Sequence, residues 1–220
     1  MAVDTDTTDV QHTGTVIRMV RVAFAALAVA ALSTILVDGV GQPGFSVVNY
    51  FSYFTVLSNV LAIVVLLVGG LADPQSRPWQ LFRGAVTLYM VITGIIYAVL
   101  LANIDVGVAD AWTNNVVHRI MPVVILLDWI LAPSRRRITE AQSLIWLVFP
   151  LVYGIYSLVR GPIVDWYPYP FLDPRGQGYV ALFIGLVVLT VAFVLMALAV
   201  NAVGRLGSRW RYGNQSAAGD

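Results

Sequence analysis

Two side chains in this sequence, Thr55 and His118, have the chemistry of a nucleophile and its base; scarcity singles out the histidine, and a shared depth in the membrane brings the threonine to it. The chain contains no cysteine and two histidines, and its thirteen basic residues are all arginine. Without cysteine there are no disulfides, thiol nucleophiles, iron–sulfur clusters or thiolate metal sites. Without lysine there is no Schiff base. His12 lies in the polar stretch "DTDTTDVQHTGT", so His118 is the single imidazole in the apolar part of the chain and a bis-histidine haem is excluded. An imidazole can take the proton from a hydroxyl as that hydroxyl attacks a carbonyl, and nearby donors can hold the oxyanion that forms. The sequence offers Thr55, within "FSYFTVLSN", as the hydroxyl.

The elements that must position this pair follow from composition. Hydrophobic residues make up 59% of the 220 and charged residues 11%, against about 25% charged in a soluble domain. Six apolar runs of about twenty residues alternate with short loops rich in Pro, Gly and charge. They span roughly 16–37, 47–71, 81–101, 113–132, 141–160 and 179–203. The predicted fold is an all-α integral membrane protein, a bundle of six transmembrane helices. Residues 1–15 form a disordered cytoplasmic tail, 16–205 the transmembrane domain, and 206–220 a cytoplasmic C-terminal tail. The first run continues unbroken to Val37, longer than the apolar core of a signal peptide, and is read as a retained helix.

Arginine sets the expected orientation. With both termini cytoplasmic, Arg18, Arg21, Arg77, Arg83, Arg135, Arg136, Arg137, Arg205, Arg209 and Arg211 fall inside, and Arg119, Arg160 and Arg175 outside, as the positive-inside rule requires. The loops near 38–46, 102–112 and 161–178 then face out. The basic loops are explained by topology, and a net charge of +1 gives no reason to expect a nucleic-acid partner. The string "GVGQPG" at 39–44 matches a dinucleotide-binding pattern but joins two membrane helices instead of opening a βαβ unit, so it is read as a tight outer turn.

At about 1.5 Å per residue, Thr55 lies roughly 12 Å down a helix entering at Val47, and His118 roughly 8 Å down one entering at Thr113. The two are therefore at one depth. Ser52, Thr55 and Asn59 form one helical stripe, and Asn114, Asn115 and His118 another. Tyr153, Tyr156, Ser157 and Arg160 add a third. Polar side chains converging from several spans point to a wet pocket in the outer half of the bundle. Trp112, Trp166, Tyr167 and Tyr169 read as an outer aromatic belt. Asp128 sits about 15 Å nearer the cytoplasm than His118 and is expected to pair with Arg83 or Arg21.

The segments "YFTVLSN", "NNVVHRIMPVVILLDWIL" and "WYPYPFLD" resemble the bacterial six-helix arm of the androgen-induced membrane-protein family, and the resemblance runs from the second helix to the sixth. Members are integral-membrane lipid hydrolases that use one threonine and one histidine to cleave fatty acid esters of hydroxy fatty acids. The resemblance implies Thr55 as nucleophile and His118 as general base, acting on a lipid ester within the membrane, with no metal and no organic cofactor. Asn115, Asn59, Tyr53 and Tyr156 are then candidates for orienting groups or oxyanion donors, and Arg160, Arg119, Ser52 and Ser157 for substrate contacts. Membrane lipids are the expected surroundings, and no protein partner is inferred. The competing expectation is a lipid-binding or transport protein that performs no chemistry.

Overall fold

The computed structural model describes residues 13–102, 110–134 and 136–212, and these are helical with short connections. Among the described residues, six helices are long and apolar enough to cross a membrane: α1 Thr15–Val40, α2 Phe54–Leu71, α3 Arg77–Leu101, α4 Ala111–Leu131, α5 Glu140–Val164 and α6 Pro174–Arg211. The expected fold class is met. Arg135, His12, most of the loop near 102–112 and residues 213–220 of the C-terminal tail lie outside the described residues.

α6 stays helical to Tyr212, and Thr13 is tied to Asp73 through its backbone N–H (2.7 Å) and hydroxyl (2.8 Å). At the other end of α6, Gly178 takes φ 80° and ψ 160°, a conformation only glycine adopts freely. It separates one turn from the continuous helix, which starts at Tyr179 as the apolar run predicts.

α3 is the central element, buried along most of its inward length, and α6 is mostly exposed on the flank. α1 packs along α2, and α3 lies between α2 and α4. Small residues allow the close approaches. A Cβ at Gly84 would lie 2.3 Å from the ring of Trp146, and one at Gly204 2.4 Å from that of Trp129.

A buried ionic cluster fastens the end of the bundle that carries both chain ends. Asp128 accepts from Arg21 Nε (2.6 Å) and Nη2 (3.3 Å) and from Arg83 Nη2 (2.8 Å). Both expected partners are therefore engaged. Arg21 also reaches Asp73 (3.2 Å) and the carbonyl of Gly69 (2.9 Å), while Arg83 reaches the Ala132 carbonyl (3.0 Å). Burial works against the Asp73 charge, but Thr13 and Arg21 outweigh it and hold its carboxyl below the usual range. α1, α3, α4 and the loop after α2 are locked together here.

The second span departs from expectation in a way that matters for function. The run from Val47 is not one helix. Val47–Tyr50 forms a single turn capped by Ser46, the chain extends at Tyr53 (φ −77°, ψ 130°), and α2 starts at Phe54. Broken backbone in an apolar medium needs other hydrogen-bond partners. Tyrosine hydroxyls supply them. Tyr153 donates to the Ser52 carbonyl (2.9 Å) and accepts from the Phe54 N–H (3.2 Å). Tyr169 accepts from the Thr55 N–H (3.3 Å).

Candidate active site

The break places Thr55 in the first turn of α2, beneath the loops opposite the chain ends. His118 arrives from α4 on a π-helical turn, Val116–Ile120, a local widening that recurs at functional sites. Both side chains are buried, and Thr55 Oγ1 lies 3.3 Å from His118 Nε2. The second ring nitrogen, Nδ1, lies 3.3 Å from the Asn114 carbonyl. A carbonyl only accepts, so this bond fixes the proton on Nδ1 and leaves the Nε2 lone pair facing the threonine hydroxyl. Thr55 Oγ1 also lies 3.4 Å from the Tyr169 hydroxyl. With the threonine proton directed at Nε2, the phenol is the donor in that contact. The order Tyr169, Thr55, His118, Asn114 carbonyl is thus a chain of bonds running one way. Its links are long, as is common before substrate binds.

The imidazole is held from the side as well. The ring of Tyr97, on a second π-helical turn at the end of α3, stacks on it at 4.3 Å and 20°. Asn114 Nδ2 donates to the Tyr97 hydroxyl (2.7 Å), so one asparagine steers both rings. α3 and α4 approach closely because Gly94 lies against Pro122, where a Cβ would meet the proline at 2.9 Å.

Asn59 has a different place from the one expected. Its Nδ2 donates to the carbonyls of Thr55 (2.9 Å) and Val117 (3.1 Å). Both amide hydrogens are committed, so Asn59 is a strut joining α2 to α4 and has no proton for an oxyanion. Asn115 is not brought to the pair either. One residue beyond Asn114 turns it about 100° around the helix, and its Oδ1 accepts from Arg119 (2.8 Å). Arg119 is exposed and lies over the Tyr97 ring at 5.6 Å.

Of the other expected residues, Tyr53 packs edge-on against Trp166 (5.4 Å) and Tyr169 (5.8 Å). Ser52 leaves the polar stripe because of the helix break. Its hydroxyl bonds the Val48 carbonyl (2.7 Å) and the Tyr156 hydroxyl (2.9 Å). Ser157 is buried on α5, one turn beyond Tyr153. Arg160 donates to Asn49 Oδ1 (2.6 Å) and covers the Trp166 ring at 5.4 Å.

Composition marks Tyr169 as a belt residue, and the structure places it inside. It is buried, stacked on Phe171 at 5.2 Å and 4°, and burial pushes its phenol above the ordinary range. Two cavities meet at this point. One of about 340 Å³ lies under the loops opposite the chain ends, lined by Asn49, Tyr53 and His118 among others. Another of about 570 Å³ lies among α3, α5 and α6 and is almost wholly apolar. Thr55, Tyr169 and Leu101 line both.

The fold and site define a multi-pass membrane protein in which a buried hydroxyl–imidazole pair stands between two cavities. The family described as FAR-17a/AIG1-like protein matches residues 85–202, more than half of the chain, and the protein belongs to that family. The matched segment includes His118 and Tyr169 and starts after Thr55. Comparison with curated proteins and with solved structures returns no match.

Proposed function

We propose that this protein is an intramembrane hydrolase of long-chain lipid esters, with Thr55 as nucleophile and His118 as general base. The observation that carries this reading is the 3.3 Å contact from Thr55 Oγ1 to an Nε2 whose partner nitrogen is anchored on the Asn114 carbonyl. In the first half-reaction Thr55 Oγ1 attacks the ester carbonyl as its proton passes to Nε2. The Nδ1–H bond to Asn114 holds the ring in place and favours the imidazolium. Negative charge gathers on the former carbonyl oxygen. Tyr169 O–H is the donor in reach, aided by the positive end of α2. Collapse expels the alkoxide, which takes the proton from His118, and leaves the acyl group on Thr55. Water, deprotonated by the same nitrogen, then releases the acid.

Fatty acid esters of hydroxy fatty acids are the proposed substrate class, as family resemblance implies. Arg160, bonded to Asn49 and covering Trp166, two residues that line the smaller cavity, is the candidate partner for a free carboxylate. The arginine distribution supports a cell-membrane protein with this site toward the outer leaflet.

The test is turnover of a long-chain ester by purified protein, followed by mass spectrometry. Thr55→Ala and His118→Ala each abolish release of the acid while the folded protein still inserts. Full turnover by Thr55→Ala refutes the nucleophile. Lipid recovered unchanged from the wild type favours a binding protein instead.

A further inference from the structure

The larger cavity is more than a void beside Thr55. It reaches from Thr55 and Tyr169 through a lining that includes Ile92, Ile96 and Leu172, and ends between α5 and α6. From Val148 onward α5 makes no substantial contact with α6. Cavity-lining residues on α5 are also open to the outside of the bundle, with Leu151 64% and Ile155 55% exposed. Those side chains face the region lipid would occupy, so the opening leads into hydrocarbon.

Gly154 sits in this lining. Glycine inside a helix costs about 0.5–1 kcal/mol relative to alanine, and at several helix positions a ring explains the residue, whereas Gly185 on α6, like Gly154, has no neighbour within 4 Å of a Cβ. A Cβ at Gly161 would lie 2.1 Å from Tyr167, as Trp146 explains Gly84 and Trp129 Gly204. At Gly154 a Cβ would meet nothing within 4 Å. No neighbour requires the glycine, so what it provides is open volume. A cavity of about 570 Å³ is within the usual range for a small-molecule site, and its walls offer an apolar chain what the bilayer offers.

We propose that this cavity is a lateral acyl-chain channel, open to the bilayer between α5 and α6, whose length selectivity depends on the space at Gly154. The acyl arm of an ester slides in from the membrane and its carbonyl comes to rest at Thr55. The smaller, more polar cavity is left for the other arm. The catalytic readout of this proposal rests on the ester-hydrolase reading; its binding readout does not.

Gly154→Phe and Gly154→Leu place a side chain in open space on an existing helix. The measurement is kcat/KM for the palmitoyl and acetyl p-nitrophenyl esters in each variant. The ratio of long to short falls at least about tenfold in Gly154→Phe, about 1.4 kcal/mol of discrimination, and by less in Gly154→Leu. A ratio that stays at the wild-type value in both variants overturns the channel. A second measurement is independent of turnover: Thr55→Ala protein binds the fluorescent fatty acid cis-parinaric acid saturably, and adding Gly154→Phe weakens that binding at least about tenfold. Equal binding with and without Gly154→Phe overturns the channel. If the wild type cleaves neither ester while the binding contrast holds, the hydrolase reading fails and the channel stands.

Discussion

Replacing Tyr169 by phenylalanine isolates one oxygen. The ring keeps its stack on Phe171 and its edge contact with Tyr53, so the loop between α5 and α6 retains its packing. What disappears is the acceptor of the Thr55 N–H and the donor 3.4 Å from Thr55 Oγ1. Leaving the buried N–H without a partner costs about 1–3 kcal/mol of stability, visible as a lower unfolding midpoint. Loss of one oxyanion donor lowers kcat by about 10²–10³. KM stays close to wild type, because the donor acts on charge that exists only in the transition state. The assay is hydrolysis of a long-chain p-nitrophenyl ester by protein in nanodiscs. The reasoning is refuted by a folded Tyr169→Phe protein whose kcat lies within about threefold of wild type, or by a loss that resides in KM. The pH dependence supplies a second check. A phenol whose folded pKa is raised keeps its proton through the ordinary value of about 10, so its contribution is complete below that pH and fades only as pH climbs through the higher folded value. An activity loss well below pH 10 that vanishes in Tyr169→Phe contradicts this assignment.

Asp128→Ala leaves Arg21 and Arg83 buried without their shared counter-ion, and breaking such a cluster costs about 3–5 kcal/mol; a denaturation midpoint close to wild type refutes the role given to it. Asn59→Leu keeps the volume but removes both bonds joining α2 to α4. It lowers kcat by at least about tenfold and slows labelling of Thr55 by an acylating probe in proportion. Unchanged labelling shows that the strut does not position the nucleophile.

The six spans were legible because each carries its own signal. Twenty apolar residues announce a membrane helix without reference to any other part of the chain. The break at Phe51–Tyr53 was not legible, because the hydroxyls that permit it belong to Tyr153 and Tyr169, about a hundred positions away. Thr55 and His118 came from depth and scarcity, although the ruler laid from Val47 crossed that break. Asn114 was within reach, since a residue four before a histidine on a helix presents its carbonyl to the imidazole; counting stripe members favoured the neighbouring Asn115. Tyr169 was missed for another reason. Its surroundings, "WYPYPFLD", have the composition of an interfacial belt, and nothing local distinguishes a ring folded inward from one lying at the surface.

These misses share a cause that bears on how the site is built. In an apolar medium a helix is the default because every other backbone path leaves polar groups without partners. Three departures from it lie around Thr55: the break before α2, the wide turn carrying His118 and the wide turn carrying Tyr97. Partners are met there by side chains of the same cluster. Tyr153 closes the gap at Phe54, Tyr169 satisfies the amide of Thr55, and Asn59 takes the Thr55 carbonyl. The groups that make irregular backbone tolerable are therefore the groups that fix the reacting atoms. Altering Tyr153 or Tyr169 perturbs fold and chemistry together, whereas His118 is free of that double duty: its imidazole bonds one carbonyl and one hydroxyl and supports no broken segment. Stability and activity separate most cleanly at the histidine, and it is the position at which loss of turnover most directly reports on chemistry.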